Sequence, residues 1–192
     1  MNKTSIESEI EIKLQPESDL EFRMIAEPEF QNGLFWGKPR FGHPEGQVIN
    51  HIFEVLENVD KLNTTPEIRQ KLRIITYVHD TFKHLEHKGT PRDWSRHHGV
   101  YARKFLQRFT QDSTLLKITE FHDEAYYSWR LGALYRYPEK SRKRLNKLIQ
   151  VMGEDIQLFY LFFKCDTKTG DKIQTPVRWF EEMVPSIERI YF

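Results

Sequence analysis

The apolar residues of this chain recur at intervals of three and four, and that spacing restricts it to a helical fold. Val48, Ile52, Val55, Leu56 and Val59 line one side of a predicted helix over about 46–62. Thr65-Pro66-Glu67 opens a second, with Thr65 as N-cap and Pro66 at the first helical position; the pattern carries it to about His84. Thr90-Pro91 opens a third by the same logic, through Trp94, Tyr101, Phe105 and Phe109. Shorter helices are predicted over Thr114–Phe121 and Glu124–Tyr135. A basic amphipathic helix follows over Ser141–Met152, a strongly apolar one over Glu154–Cys165 and a last one over Pro176–Tyr191. Strand-like alternation is nearly absent outside Ile10–Leu14. The expected fold class is an all-α bundle.

Two N-terminal segments depart from the pattern. Residues 1–30 are acidic, with Glu7, Glu9, Glu11, Glu17, Asp19, Glu21, Glu27 and Glu29, and are expected to form an extended or frayed arm before a domain over 31–192. Residues 31–46 are rich in Gly, Pro and aromatics, a composition that demands a structured loop. The 29 basic residues nearly balance the 28 acidic ones, so global charge argues for no polyanionic partner and against nucleic acid. Cys165 is the one cysteine, which excludes an intrachain disulfide and a Cys-rich zinc site. The N-terminus lacks the apolar core of a signal peptide. The densest apolar patch, Ile156–Phe163, contains Gln157 and stops at Lys164, far short of the roughly 18 residues of a membrane span. A soluble cytoplasmic protein is expected.

Histidines and aspartates fall on the inner faces or ends of these helices. His79-Asp80 closes the apolar run Leu72–Val78, where burial is costly without a partner. His51 adjoins Ile52 and lies four before Val55. His98 lies four before Ala102 and seven before Phe105, with His97 about 100° around the helix; the apolar face favours His98, while Val100 and Ala102 also fit a register starting at His97. His122-Asp123 ends the Thr114–Phe121 helix. Asp166 follows Phe159, Phe162 and Phe163 at seven, four and three. Imidazole and carboxylate without thiolate suit Mn²⁺, Fe²⁺, Co²⁺, Ni²⁺, Zn²⁺ or Mg²⁺. Four of these side chains leave open positions on one divalent metal ion; all six could hold two, with a bridging carboxylate. Such a metal lowers the pKa of bound water and polarises a phosphoryl oxygen, which is hydrolytic chemistry. Any one of these histidines alone is more often a satisfied core or surface residue. His84 and His87 read as surface residues, and His43 as a loop support or a substrate contact.

The ordered pattern His51, His79-Asp80, His98, His122, Asp166, spanning roughly residues 40–185, resembles the HD-domain superfamily of metal-dependent phosphohydrolases. Phe41-Gly42-His43-Pro44-Glu45-Gly46-Gln47-Val48, with His51 and Val55-Leu56 after it, is similar to the start of the HD domain attached to bacterial tRNA nucleotidyltransferases and of stand-alone HD proteins. Val78-His79-Asp80-Thr81-Phe82-Lys83 is similar to the HD signature, with Phe82 where a Gly is usual. The resemblance implies a helical bundle around a central metal held by His51, His79, Asp80 and Asp166. It implies a second metal on His98 and His122 with Asp80 bridging. Asp80 would also orient water, and Lys83 would meet a substrate phosphate. Much of the superfamily acts on nucleotides, so a nucleotide is the expected substrate class. The alternatives are a non-catalytic HD-fold sensor of nucleotide or metal, which has no need of the complete ligand set, and an RNA-binding accessory domain, which near-neutral charge disfavours. The chain carries no nucleotidyltransferase catalytic domain, so tRNA maturation is not expected of it.

Other features are weaker. Arg96 and Arg130 are candidate phosphate contacts. Tyr126, Tyr127 and Trp129 read as core or as a stacking surface. Lys140, Arg142, Lys143, Arg144 and Lys147 read as a solvated helix face. Lys168 and Lys172 read as surface loop rather than as the border of a site. Exposed aromatics such as Trp36, Tyr191 and Phe192 permit a homodimer.

Overall fold

Acidic side chains in the first 30 residues serve as helix caps. The computed structural model of the chain describes residues 4–40 and 44–192, so the loop histidine His43 lies outside the described residues. Thr4 and Glu7 form a capping box on α1 (Ser5–Leu14), and Ser18 and Glu21 form another on α2 (Asp19–Ile25). A third helix, α3, spans Pro28–Leu34. Ile10, Leu14, Met24, Ile25, Phe30 and Leu34 are buried in the same apolar core as the later helices. The expectation of an extended or frayed arm is therefore corrected. Its acidic residues also hold it down: the buried Glu21 carboxylate accepts from Arg73 Nε at 2.9 Å, and Glu17 pairs with Arg69 and Arg73.

The central helices follow the predicted order: α4 (Val48–Asp60), α5 (Pro66–Val78), α6 (His98–Leu106), α7 (Ser113–Phe121), α8 (Glu124–Ala133), α9 (Pro138–Met152), α10 (Ile156–Thr167) and α11 (Thr175–Met183). The fold is all-α, with no strand among the described residues. Three boundaries differ from expectation by more than a turn, each for a local reason. α5 stops at Val78, and the chain turns through residues 79–82 before a short 3-10 turn at Lys83–Leu85. The third predicted helix starts at His98 rather than near Pro91. Asp93 caps a separate 3-10 turn at Trp94–Arg96, and His97 caps α6 by accepting the Gly99 N–H on Nδ1 at 3.1 Å. The last helix ends at Met183, because Pro185 offers no N–H to extend it.

α10 runs through the middle against α4 and α5, with Phe159, Tyr160 and Phe162 fully buried. α6 and α7 pack closely enough that a Cβ on Gly99 would lie 2.4 Å from the Glu120 carbonyl oxygen. That approach needs glycine, and it sets the start of α6 beside the end of α7. No described helix is long and apolar enough to cross a membrane.

Candidate metal centre

Four histidines reach one interior point from four elements. His51 comes from the first turn of α4, His79 and His122 from the C-caps of α5 and α7, and His98 from the start of α6. None is more than 3% exposed. Each turns Nδ1 away from the centre. The Nδ1 atoms of His79 and His122 lie 2.9 Å and 2.8 Å from the carbonyls of Thr76 and Thr119. His98 Nδ1 lies 3.4 Å from a Glu86 carboxylate oxygen. His51 Nδ1 lies 3.4 Å from the Thr169 hydroxyl, which donates its own proton to the Asp166 carbonyl. Carbonyls only accept, so the partners of His79 and His122 place hydrogen on Nδ1, and the nearby Glu86 carboxylate favours the same tautomer of His98; the Nε2 lone pairs then face inward.

Those lone pairs meet each other and three carboxylates. His51 Nε2 lies 3.3 Å from His79 Nε2, 3.5 Å from Asp80 Oδ2 and 2.9 Å from Asp166 Oδ1. His79 Nε2 lies 3.4 Å from Asp80 Oδ2 and 3.8 Å from Asp166 Oδ1. On the other side of Asp80, Oδ1 lies 3.3 Å from His98 Nε2 and 3.5 Å from His122 Nε2, which are 3.0 Å apart. Asp123 Oδ2 completes this side at 3.4 Å from His98 Nε2 and 3.8 Å from His122 Nε2. Donors on one ion at about 2.1 Å lie about 3.0 Å apart at right angles and about 3.4 Å apart at the tetrahedral angle. The His51–His79, His79–Asp80, His98–His122, His98–Asp80 and His98–Asp123 separations fall in that range, and the remaining ones lie within about 0.4 Å of it. Buried acceptors at these separations repel unless cations or protons lie between them, so the donor set fits divalent metal. His51, His79 and Asp80 form one buried set able to hold an ion, and Asp80, His98 and His122 another.

Electrostatics sharpens the contrast between the two sides. Burial would raise the Asp80 and Asp166 carboxyls, but Lys83 and His79 beside the first, and Lys172 and His51 beside the second, hold them well below the usual range. Burial, aided by Lys172, pushes His51 down to about 4. Burial also works against a charged His122, yet Asp123 and Asp80 outweigh it and raise this imidazole to about 9. Without metal, His122 therefore holds a second proton where an ion would sit.

The structure brings all six sequence-predicted ligand residues into this cluster, with His98 rather than His97 facing Asp80 and His122. His97 stands behind it: with Nδ1 occupied as the α6 cap, its Nε2 faces the Tyr127 hydroxyl at 3.1 Å and Asp123 at 3.4 Å. Asp123 was missed as a ligand candidate, although it repeats the His-Asp pairing of 79–80 at another helix end. Glu86, the carboxylate behind His98, carried no sequence signal. Lys172, read as surface loop, instead contacts Asp166 Oδ1 at 3.1 Å. Lys83 contacts Asp80 Oδ2 directly. Arg96 and Arg130 are not brought to the cluster. Arg96 is exposed on its turn, and Arg130 is held by the Tyr135 hydroxyl and the rings of Tyr126 and Tyr135. Comparison of the chain with models of protein families, with curated proteins and with solved structures finds no match.

Proposed function

We propose that this protein is a metal-dependent phosphohydrolase of the HD-domain type, acting on a phosphate ester whose expected class is a nucleotide. The observation that carries the reading is the division of Asp80. One carboxylate oxygen faces His51 and His79, and the other faces His98 and His122. One carboxylate shared between two His-pair sets suits two neighbouring divalent cations. Divalent cations bound there would supply Lewis-acid polarisation of a phosphoryl oxygen and a lowered pKa for coordinated water.

The chain's own residues do the rest. Four protein donors on each side leave coordination positions for substrate and water. The Nδ1 partners fix the imidazoles, so the donor geometry is set before substrate arrives. Lys83 stands between Asp80 and a cavity of about 530 Å³ that both residues line. Its side chain is 21% exposed, so the ammonium can turn from Asp80 to a phosphoryl oxygen and neutralise charge that grows as the ester breaks.

The test is phosphate release from a panel of nucleotides with Mn²⁺, Co²⁺, Ni²⁺ or Mg²⁺ added, for wild type, Asp80→Asn and Lys83→Ala. The expected outcome is turnover by wild type, a loss of at least about a hundredfold in each variant, and unchanged helicity. Metal-loaded wild type that releases no phosphate from any member would overturn the hydrolase reading and favour a non-catalytic sensor.

A further inference from the structure

The cavity in front of Asp80 and Lys83 has a mouth of distinct chemistry, formed by the segment after α3. Trp36 is exposed there, and its backbone is fixed: the Val48 N–H donates to the Trp36 carbonyl at 3.0 Å, and the Gln47 amide to the Phe35 carbonyl at 3.1 Å. Gly37 has φ +117°, and a Cβ on it would lie 2.4 Å from the Gly46 carbonyl oxygen; the turn is a built feature that needs glycine. Lys38 and Arg40 follow, both lining the cavity and both exposed.

Charge separates floor from mouth. At the floor, the Lys83 ammonium is matched by Asp80. Glu45 also lines the cavity, but its side chain is only 3% exposed and lies toward His51. Lys38 and Arg40 have no ion pair among the described residues. Two exposed cations with no ion pair among the described residues therefore follow an exposed indole whose backbone is fixed.

We propose that the mouth is a second recognition site, in which Trp36 stacks on a planar ring and Lys38 and Arg40 bind an anionic group distinct from the phosphate at the metal centre. This rests on the phosphohydrolase reading and narrows its substrate to a ring-bearing ester with at least two anionic groups. An indole face takes any aromatic ring, and paired cations take a phosphate by charge and hydrogen bonds. The cavity volume lies within the range of small-molecule sites.

The test is calorimetric titration of metal-loaded full chain with ADP and with AMP, using wild type, Lys38→Ala/Arg40→Ala and Trp36→Ala. Metal content and helicity are checked for each protein. The expected result is ADP binding weakened at least about tenfold in both variants, with AMP weakened by Trp36→Ala but little by the double cation variant. Equal ADP affinity in wild type and the double variant would overturn the proposal while leaving the hydrolase reading intact. Wild type that binds neither probe would also overturn it. Failure of the hydrolase reading is read separately, as absence of phosphate release.

Discussion

The two halves of the candidate metal centre use the same residue types and balance them in different ways. In the first half, ammonium groups stand against the carboxylates: Lys83 on Asp80 and Lys172 on Asp166. In the second half no lysine lies in ion-pair range of Asp123 among the described residues, although Lys83 helps to hold its carboxyl low; its ion-pair partners are the imidazoles of His97, His98 and His122. Without metal, charge in the first half is balanced by side chains that can swing aside. In the second it is balanced by a proton on His122 that must be lost before the nitrogen can coordinate. Two sites that share one carboxylate therefore need not share one pH dependence.

Separating the halves gives the larger effect. Asp123→Asn removes a donor only from the second half, and Asp166→Asn only from the first. Each variant is expected to keep about half the wild-type metal content, measured by elemental mass spectrometry on protein of unchanged helicity. Full metal retention in Asp123→Asn would deny that Asp123 is a ligand and would leave the second half one donor poorer.

A smaller effect distinguishes the halves by pH. His122, raised to about 9, carries its extra proton at neutral pH in the metal-free protein. Metal binding in Asp166→Asn, which retains the second half, should release that proton. Its affinity should rise about tenfold per pH unit up to about 9. The metal-free fold shows the opposite sign: stability from protonated His122 is complete below the unfolded value and is lost as pH rises through about 9. Binding in Asp123→Asn, which retains the first half, should show no such proton release from His51 above about pH 5, because burial holds that imidazole near 4. Calorimetry in buffers of different ionisation heat reads both; equal proton release in the two variants would erase the distinction.

The helical core from α4 onward was legible because Val48, Ile52, Val55 and Val59 repeat on one face and all end up buried. The first helices were not, because Ile6 and Ile12 are exposed while Ile10 and Leu14 are buried, which blurs the period over a short helix. Capping glutamates also resemble a solvated tail when their partners are unknown. At the centre, His51, His79, His98 and His122 each sit on an apolar face or at a helix end, and local spacing reveals that. Asp123 carried a local signal, the His-Asp pairing with His122, whereas Lys172 reaches Asp166 only through the turn after α10, which helical periodicity does not encode.

In the proposed two-cation site one carboxylate, Asp80, serves both halves. The most direct test is metal per chain by elemental mass spectrometry after reconstitution, for wild type and Asp80→Ala, with circular dichroism to confirm the fold. The expected result is about two ions per chain in wild type, with loss from both halves in the variant. Metal content unchanged by Asp80→Ala, or wild type that takes up none, would contradict it.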